Sequence, residues 1–166
     1  PGDDLDLLVA MNPAGLKTNL HAVKAGHTII VDVDSFTKKN LQKAEYESNP
    51  LEDGSLDNFR VIEVAMTSLT REALKDLGLD NKSITRSKNM FALGIVYWMY
   101  NRDMNHTLSF FDQKFKYKPI LAEANAKVLK AGYYYAETLE LIPNAYQILP
   151  SEMPKGTYRI LNGNTA

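Results

Sequence analysis

The sequence predicts an α/β fold, with a sheet layered between helices in the first half and helices alone in the second, on three observations. Short β-branched, apolar runs near 5–11, 28–33 and 59–66 alternate with helical patterns. Strand signals stop near Asp80, and from Ser83 onward apolar residues recur at helical spacing. A chain of 166 residues with a hydrophobic share of 45% is long enough for one domain with a buried core.

Taken in order, Leu5 to Met11 (LDLLVAM) is nearly continuous and apolar, as a strand buried on both faces requires. Leu16, Leu20 and Val23 then share one side of a short helical stretch, and Lys24-Ala25-Gly26 breaks it before the strand Thr28 to Val33. Phe36 to Tyr46 is charged and helical in pattern. Glu47 to Asn58 gathers Pro, Gly, Asp, Ser and Asn and reads as a loop before the strand Phe59 to Met66. Thr70 is the expected N-cap of a helix whose apolar side is Leu69, Leu74 and Leu77 and whose end is Gly78. Ser83 to Asn101, Leu108 to Phe115 and Ile120 to Thr138 are the expected helices of the second half. From Leu141 to Ala166, three prolines and no sustained period suggest an extended linker. The order strand, helix, strand suits a three-layer α/β/α, Rossmann-like sheet.

Charge and composition exclude several functions. Nineteen basic against 20 acidic residues give a net charge of -1, with no global field to hold a nucleic acid. With no cysteine, the chain forms no disulfide and supplies no thiolate to zinc or to an iron–sulfur cluster. The longest apolar run, Met90 to Tyr100, spans about 16 Å as a helix, against the ~30 Å core of a bilayer. It is expected to be a buried helix, with no membrane partner. The opening Pro1-Gly2-Asp3-Asp4 has no initiator methionine, basic region or apolar region of a signal peptide, so a cytoplasmic protein is expected, its start either removed by processing or proteolysis or lying inside a longer chain.

Four segments carry a family resemblance: LLVAMNP at Leu7 to Pro13, SKNMFALG at Ser87 to Gly94, WMYNR at Trp98 to Arg102, and AEANAKVLKAGY at Ala122 to Tyr133. Together they resemble the gamma domain of 2-oxoacid:ferredoxin oxidoreductases, of the 2-oxoglutarate type in which gamma and alpha domains share one chain. Tyr158 to Ala166 (YRILNGNTA) is similar to the entry into the alpha, pyrimidine-binding domain of that family. On this resemblance, residues 1–140 form a gamma-type domain and 141–166 a linker into the alpha domain. The family's glycine-rich first unit has no counterpart here, so the sheet is expected to be incomplete at its N-terminus.

The resemblance implies an enzyme that decarboxylates a 2-oxoacid on thiamine diphosphate with magnesium, passes electrons through an iron–sulfur cluster to ferredoxin and transfers the acyl group to coenzyme A. The implied partners are the alpha domain in cis, a thiamine diphosphate-binding beta subunit, and ferredoxin. The thiamine motif (GDG with a later Asn) is absent, so this segment is expected to bind no cofactor alone, to be inactive in isolation, and to give scaffold, interface and part of the coenzyme A site. Two other readings stand beside it: an interaction module using the Met90 to Tyr100 helix and the tyrosines, and a small Rossmann-like nucleotide-binding protein, against which the missing phosphate-binding turn counts.

The candidate contacts to coenzyme A or a neighbouring domain are Asn12, Lys88 and Asn89. Asn12 follows the first strand, at the carboxyl end where open α/β sheets bind ligands; its other reading is an Asn-Pro turn residue. Ser87 and Asn89 are the expected caps of the apolar helix, and Lys88 could reach a phosphate or a partner carboxylate. Asp32 and Asp34 are expected in a solvated loop. Tyr133-Tyr134-Tyr135 is either a binding surface or a core edge, and Gly132 either allows close packing or ends its helix. His21, His27 and His106 lie on separate segments without ligand spacing, so no metal or catalytic role is expected of them.

Overall fold

A computed structural model describes residues 4–139, 146–147 and 152–159. Three parallel strands, β1 (Leu5–Ala10), β2 (Val23–Asp32) and β3 (Arg60–Val64), lie in the order β1-β2-β3. Leu8 pairs with Ile29, Ala10 with Val31, and Ile30 with Ile62. The two-residue alternation of strand side chains divides the core. Ile30, Ile62 and Val64 face one side with Leu7 and Val9, whereas Leu8, Ala10, Ile29 and Val31 face the other. Ile29, Ile30 and Val31 on the central strand are fully buried, each stabilising the fold by about 1.5–3 kcal/mol.

The expected three layers are present. On the second face lie α1 (Pro13–Asn19), whose Leu16 is buried, α2 (Lys38–Lys43), and the loop residue Leu56. The first face is covered by α3 (Met66–Leu74), α4 (Asn81–Met99) and α6 (Pro119–Thr138). The helix α5 (Asn105–Lys114) packs beyond the sheet, on α4 and α6, around Phe111 and Leu129. Among the described residues no helix is long and apolar enough to cross a membrane.

Several local expectations are corrected. The second strand starts at Val23, because Lys24-Ala25-Gly26 is not a break but a bulge. Leu5 pairs with Val23 and Leu7 with Thr28, so Asp6 on β1 stands against Lys24 to His27 on β2. Gly26 adopts φ +83° there, and its amide donates to Asn58 O at 2.7 Å. Thr70 is not an N-cap: α3 begins a turn earlier, at Met66, and Thr70 is buried in its middle. Gly78 does end that segment, at φ +61°. Neither Ser87 nor Asn89 caps the apolar helix. Asp80 does, accepting from Ser83 N at 3.0 Å, so Ser87, Lys88 and Asn89 lie inside α4.

The contact between α4 and α6 is backbone on backbone. A Cβ on Gly94 would stand 2.1 Å from Leu129 O, and one on Gly132 would stand 2.0 Å from Phe91 O. Gly132 therefore serves close packing and does not end α6, which runs on to Thr138. The tyrosines divide: Tyr135 packs on Phe91, Tyr133 meets Trp98 edge to face, and Tyr134 is 53% exposed. The expected linker 141–166 falls mostly outside the described residues, as does YRILNGNTA beyond Arg159. Within it, Tyr146 donates its amide to Met99 O at 2.6 Å and stacks on Tyr100.

Candidate functional site

The carboxyl ends of the strands bring together residues far apart in sequence. At the end of β2, Asp32 is fully buried. Ser35 Oγ and Thr67 Oγ1 each donate to Asp32 Oδ2 at 2.8 Å, and the Thr67 amide approaches Oδ1 at 3.3 Å. Lys88 Nζ reaches the same Oδ2 from α4 at 2.8 Å and lies 3.3 Å from Ser35 Oγ. Two residues on, Asp34 Oδ2 accepts from Ser68 N at 2.7 Å. Asp32 and Asp34 thus cap α3 from a distant segment, where negative charge suits the helix dipole, and Ala65 at the local cap position has no side chain to do so.

The solvated-loop expectation for Asp32 is therefore corrected. Burial pushes its carboxyl pKa up, but hydrogen bonds from Lys88, Ser35 and Thr67 and the Lys88 charge outweigh it and hold the group below its ordinary value. A buried carboxylate needs such donors, since an unpaired charge in the interior is very costly. The cluster is a charge-neutral anchor tying α4 and α3 to the end of β2, and its Lys88 side chain is only 13% exposed.

The three sequence candidates do not form one constellation. Lys88 was expected to reach a phosphate or a partner carboxylate, and within this chain its ammonium is taken by Asp32. Asn12 caps α1, its Oδ1 accepting from Gly15 N at 2.8 Å, and borders a shallow cleft of about 330 Å³ with Asn40 and Lys43. Asn89 is exposed on α4. Sequence reasoning missed Ser35 and Thr67. The available signal was a hydroxyl just beyond each of two neighbouring strand ends, next to a strand-terminal aspartate.

Residues 1–135 match the pyruvate ferredoxin/flavodoxin oxidoreductase family. The chain belongs to that family. It is 49% identical over 165 residues to the 2-oxoglutarate oxidoreductase subunit KorA of Mycobacterium tuberculosis, a match covering 99% of this chain and 25% of that protein. The chain thus spans about a quarter of the length of this curated relative. A 2-oxoglutarate:ferredoxin oxidoreductase from Magnetococcus marinus, solved with 2-oxoglutarate, coenzyme A and succinyl-CoA bound, has a similar fold. There the TM-score is 0.59 and the identity 23%, over 91% of this chain and 23% of that one.

The residues present do not fit the metal groups that the family implies. No cysteine is available to an iron–sulfur cluster. Among the described residues no group of three or more His, Cys, Asp or Glu side chains could hold a metal ion. His27 Nδ1 instead lies 3.2 Å from Leu5 O. No chemical step is assigned to this segment through either group.

Proposed function

We propose that this chain is the gamma-type part of a 2-oxoglutarate:ferredoxin oxidoreductase. The whole protein would convert 2-oxoglutarate and coenzyme A to succinyl-CoA and carbon dioxide, with the two electrons released going to ferredoxin. The observation that carries this reading is the 49% identity to the KorA subunit, sustained over nearly the whole chain. Thiamine diphosphate, magnesium and the cluster would be held outside this segment, by an alpha domain and a beta subunit, in a cytoplasmic complex. The segment itself contributes scaffold and interface, which suits a core knit by backbone contact at Gly94 and Gly132 and by a neutralised polar anchor.

We also propose that the carboxyl edge of the sheet faces coenzyme A or the neighbouring domain, with Asn12 and Lys43 beside the cleft, Lys88 positioned by Asp32, and exposed Asn89 next to it in α4. Ligands of open α/β sheets gather at that edge, which supports the reading. The test uses the intact complex under anaerobic conditions, following reduction of a viologen dye. Reduction that requires both 2-oxoglutarate and coenzyme A is expected, with succinyl-CoA as product. Turnover with pyruvate and none with 2-oxoglutarate would overturn the substrate assignment. Hydrogen exchange that slows in 12–20 and 81–90 on adding coenzyme A would support the edge, and unchanged exchange there would remove it.

A further inference from the structure

We infer that the cleft between α4, α5 and α6 binds a small organic anion with an apolar body, at a site separate from the Asp32 cluster. The cleft encloses about 480 Å³, within the ~300–1,000 Å³ usual for small-molecule sites. Met90, Leu93, Phe111 and Phe115 give it apolar walls, and none of its lining residues is a carboxylate. Its two charged lining groups are both cations, Arg86 on α4 and Lys114 at the end of α5.

Those two cations are poised for an anion. Among the described residues neither is within ion-pair distance of a carboxylate, and Arg86 has only a longer-range attraction to Asp80 at the start of α4. Lys114 is held instead over the faces of Phe110 and Phe115, at 5.2 and 5.7 Å from the ring centres, a contact that does not neutralise its charge. Lys116 and Lys118 follow on the exposed connection to α6 and add positive potential on that side. The neutral polar groups of the wall are already engaged: Ser87 Oγ donates to Ser83 O, Asn125 Nδ2 to Leu121 O, and Thr107 Oγ1 bonds Tyr97 Oη. Selectivity therefore rests on charge at the rim and apolar contact within. An aliphatic or aromatic carboxylate or sulfonate fits both, with the head between Arg86 and Lys114 and the body against the phenylalanines.

The test titrates the intact protein with 8-anilinonaphthalene-1-sulfonate and then competes with decanoate or with uncharged decanol. Decanoate is expected to displace the probe and to slow hydrogen exchange in 83–93 and 107–121, with decanol much weaker. Arg86→Gln and Lys114→Gln, both exposed and outside the core, should each weaken decanoate about fivefold, the upper end for one exposed charge contact. Equal displacement by decanol, unchanged affinity in the double variant, or no exchange protection in those two segments would each overturn the assignment. Because every readout is binding rather than turnover, it stands or falls independently of the substrate assigned to the whole enzyme.

Discussion

Lys88 Nζ lies 2.8 Å from Asp32 Oδ2, an ion pair that spans 56 residues of chain and fastens α4 to the end of the central strand. Breaking a buried pair from one side leaves a charge without its partner. Asp32→Asn and Lys88→Met should each cost about 3 kcal/mol in urea unfolding. The double variant should cost clearly less than their sum, since each single change strands the other group. Additive losses would mean that the two side chains are not coupled.

The same carboxyl sets an acid limit. Asp32 titrates lower in the folded chain than its ordinary value of 3.8, so its contribution is complete above that value. As pH falls through the folded value the contribution is lost, because the unfolded chain takes up the proton more readily. Stability measured from about pH 5 down to about pH 2 should fall more steeply for the native chain than for Asp32→Asn. Parallel curves would assign the acid sensitivity to other groups.

The helix crossing makes a contrast between glycines. Gly94→Ala and Gly132→Ala place a methyl about 2 Å from a backbone carbonyl oxygen and should each destabilise by about 3 kcal/mol through forced separation of α4 and α6. Gly15→Ala, whose Cβ would stand 3.5 Å from Asn12 Oδ1 in ordinary contact, should be neutral or stabilise α1 by about 0.5–1 kcal/mol. Thermal unfolding of the three variants reads this directly, and equal melting points for Gly132→Ala and the native chain would contradict the close contact.

Thr70 is 1% exposed, and its hydroxyl has no hydrogen-bond partner among the described residues. Replacing it with the isosteric valine should be neutral or stabilise the fold by about 1 kcal/mol. A loss in unfolding free energy would reveal a partner for that hydroxyl.

The order of strands and helices was legible because the signals are local: a β-branched apolar run around Ile30, helical spacing of Leu69, Leu74 and Leu77, and a long apolar run around Ile95. Less legible was anything decided at a distance. Thr70 resembled a cap because Glu72 and Ala73 follow it; the true caps, Asp32 and Asp34, come from the turn after another strand. Asp32 looked solvated because its cation is 56 residues away. Ser87 and Asn89 drew attention from Asp80, which sits about three turns upstream of the apolar run but starts the same helix. Gly132 offered two readings, and only the position of Phe91 on the facing helix chose between them.

The sheet order has a practical consequence for anyone handling the protein. Among the described residues, β2 is flanked on both sides, whereas β1 and β3 each have one neighbouring strand, so each outer strand has one side without a strand partner. Such edges template pairing with other chains. Along β1 the half-buried Leu5, Leu7 and Val9 add apolar area beside that edge. Expressed alone, this segment should self-associate through strand edges as its concentration rises, and sedimentation of a dilution series would read the association.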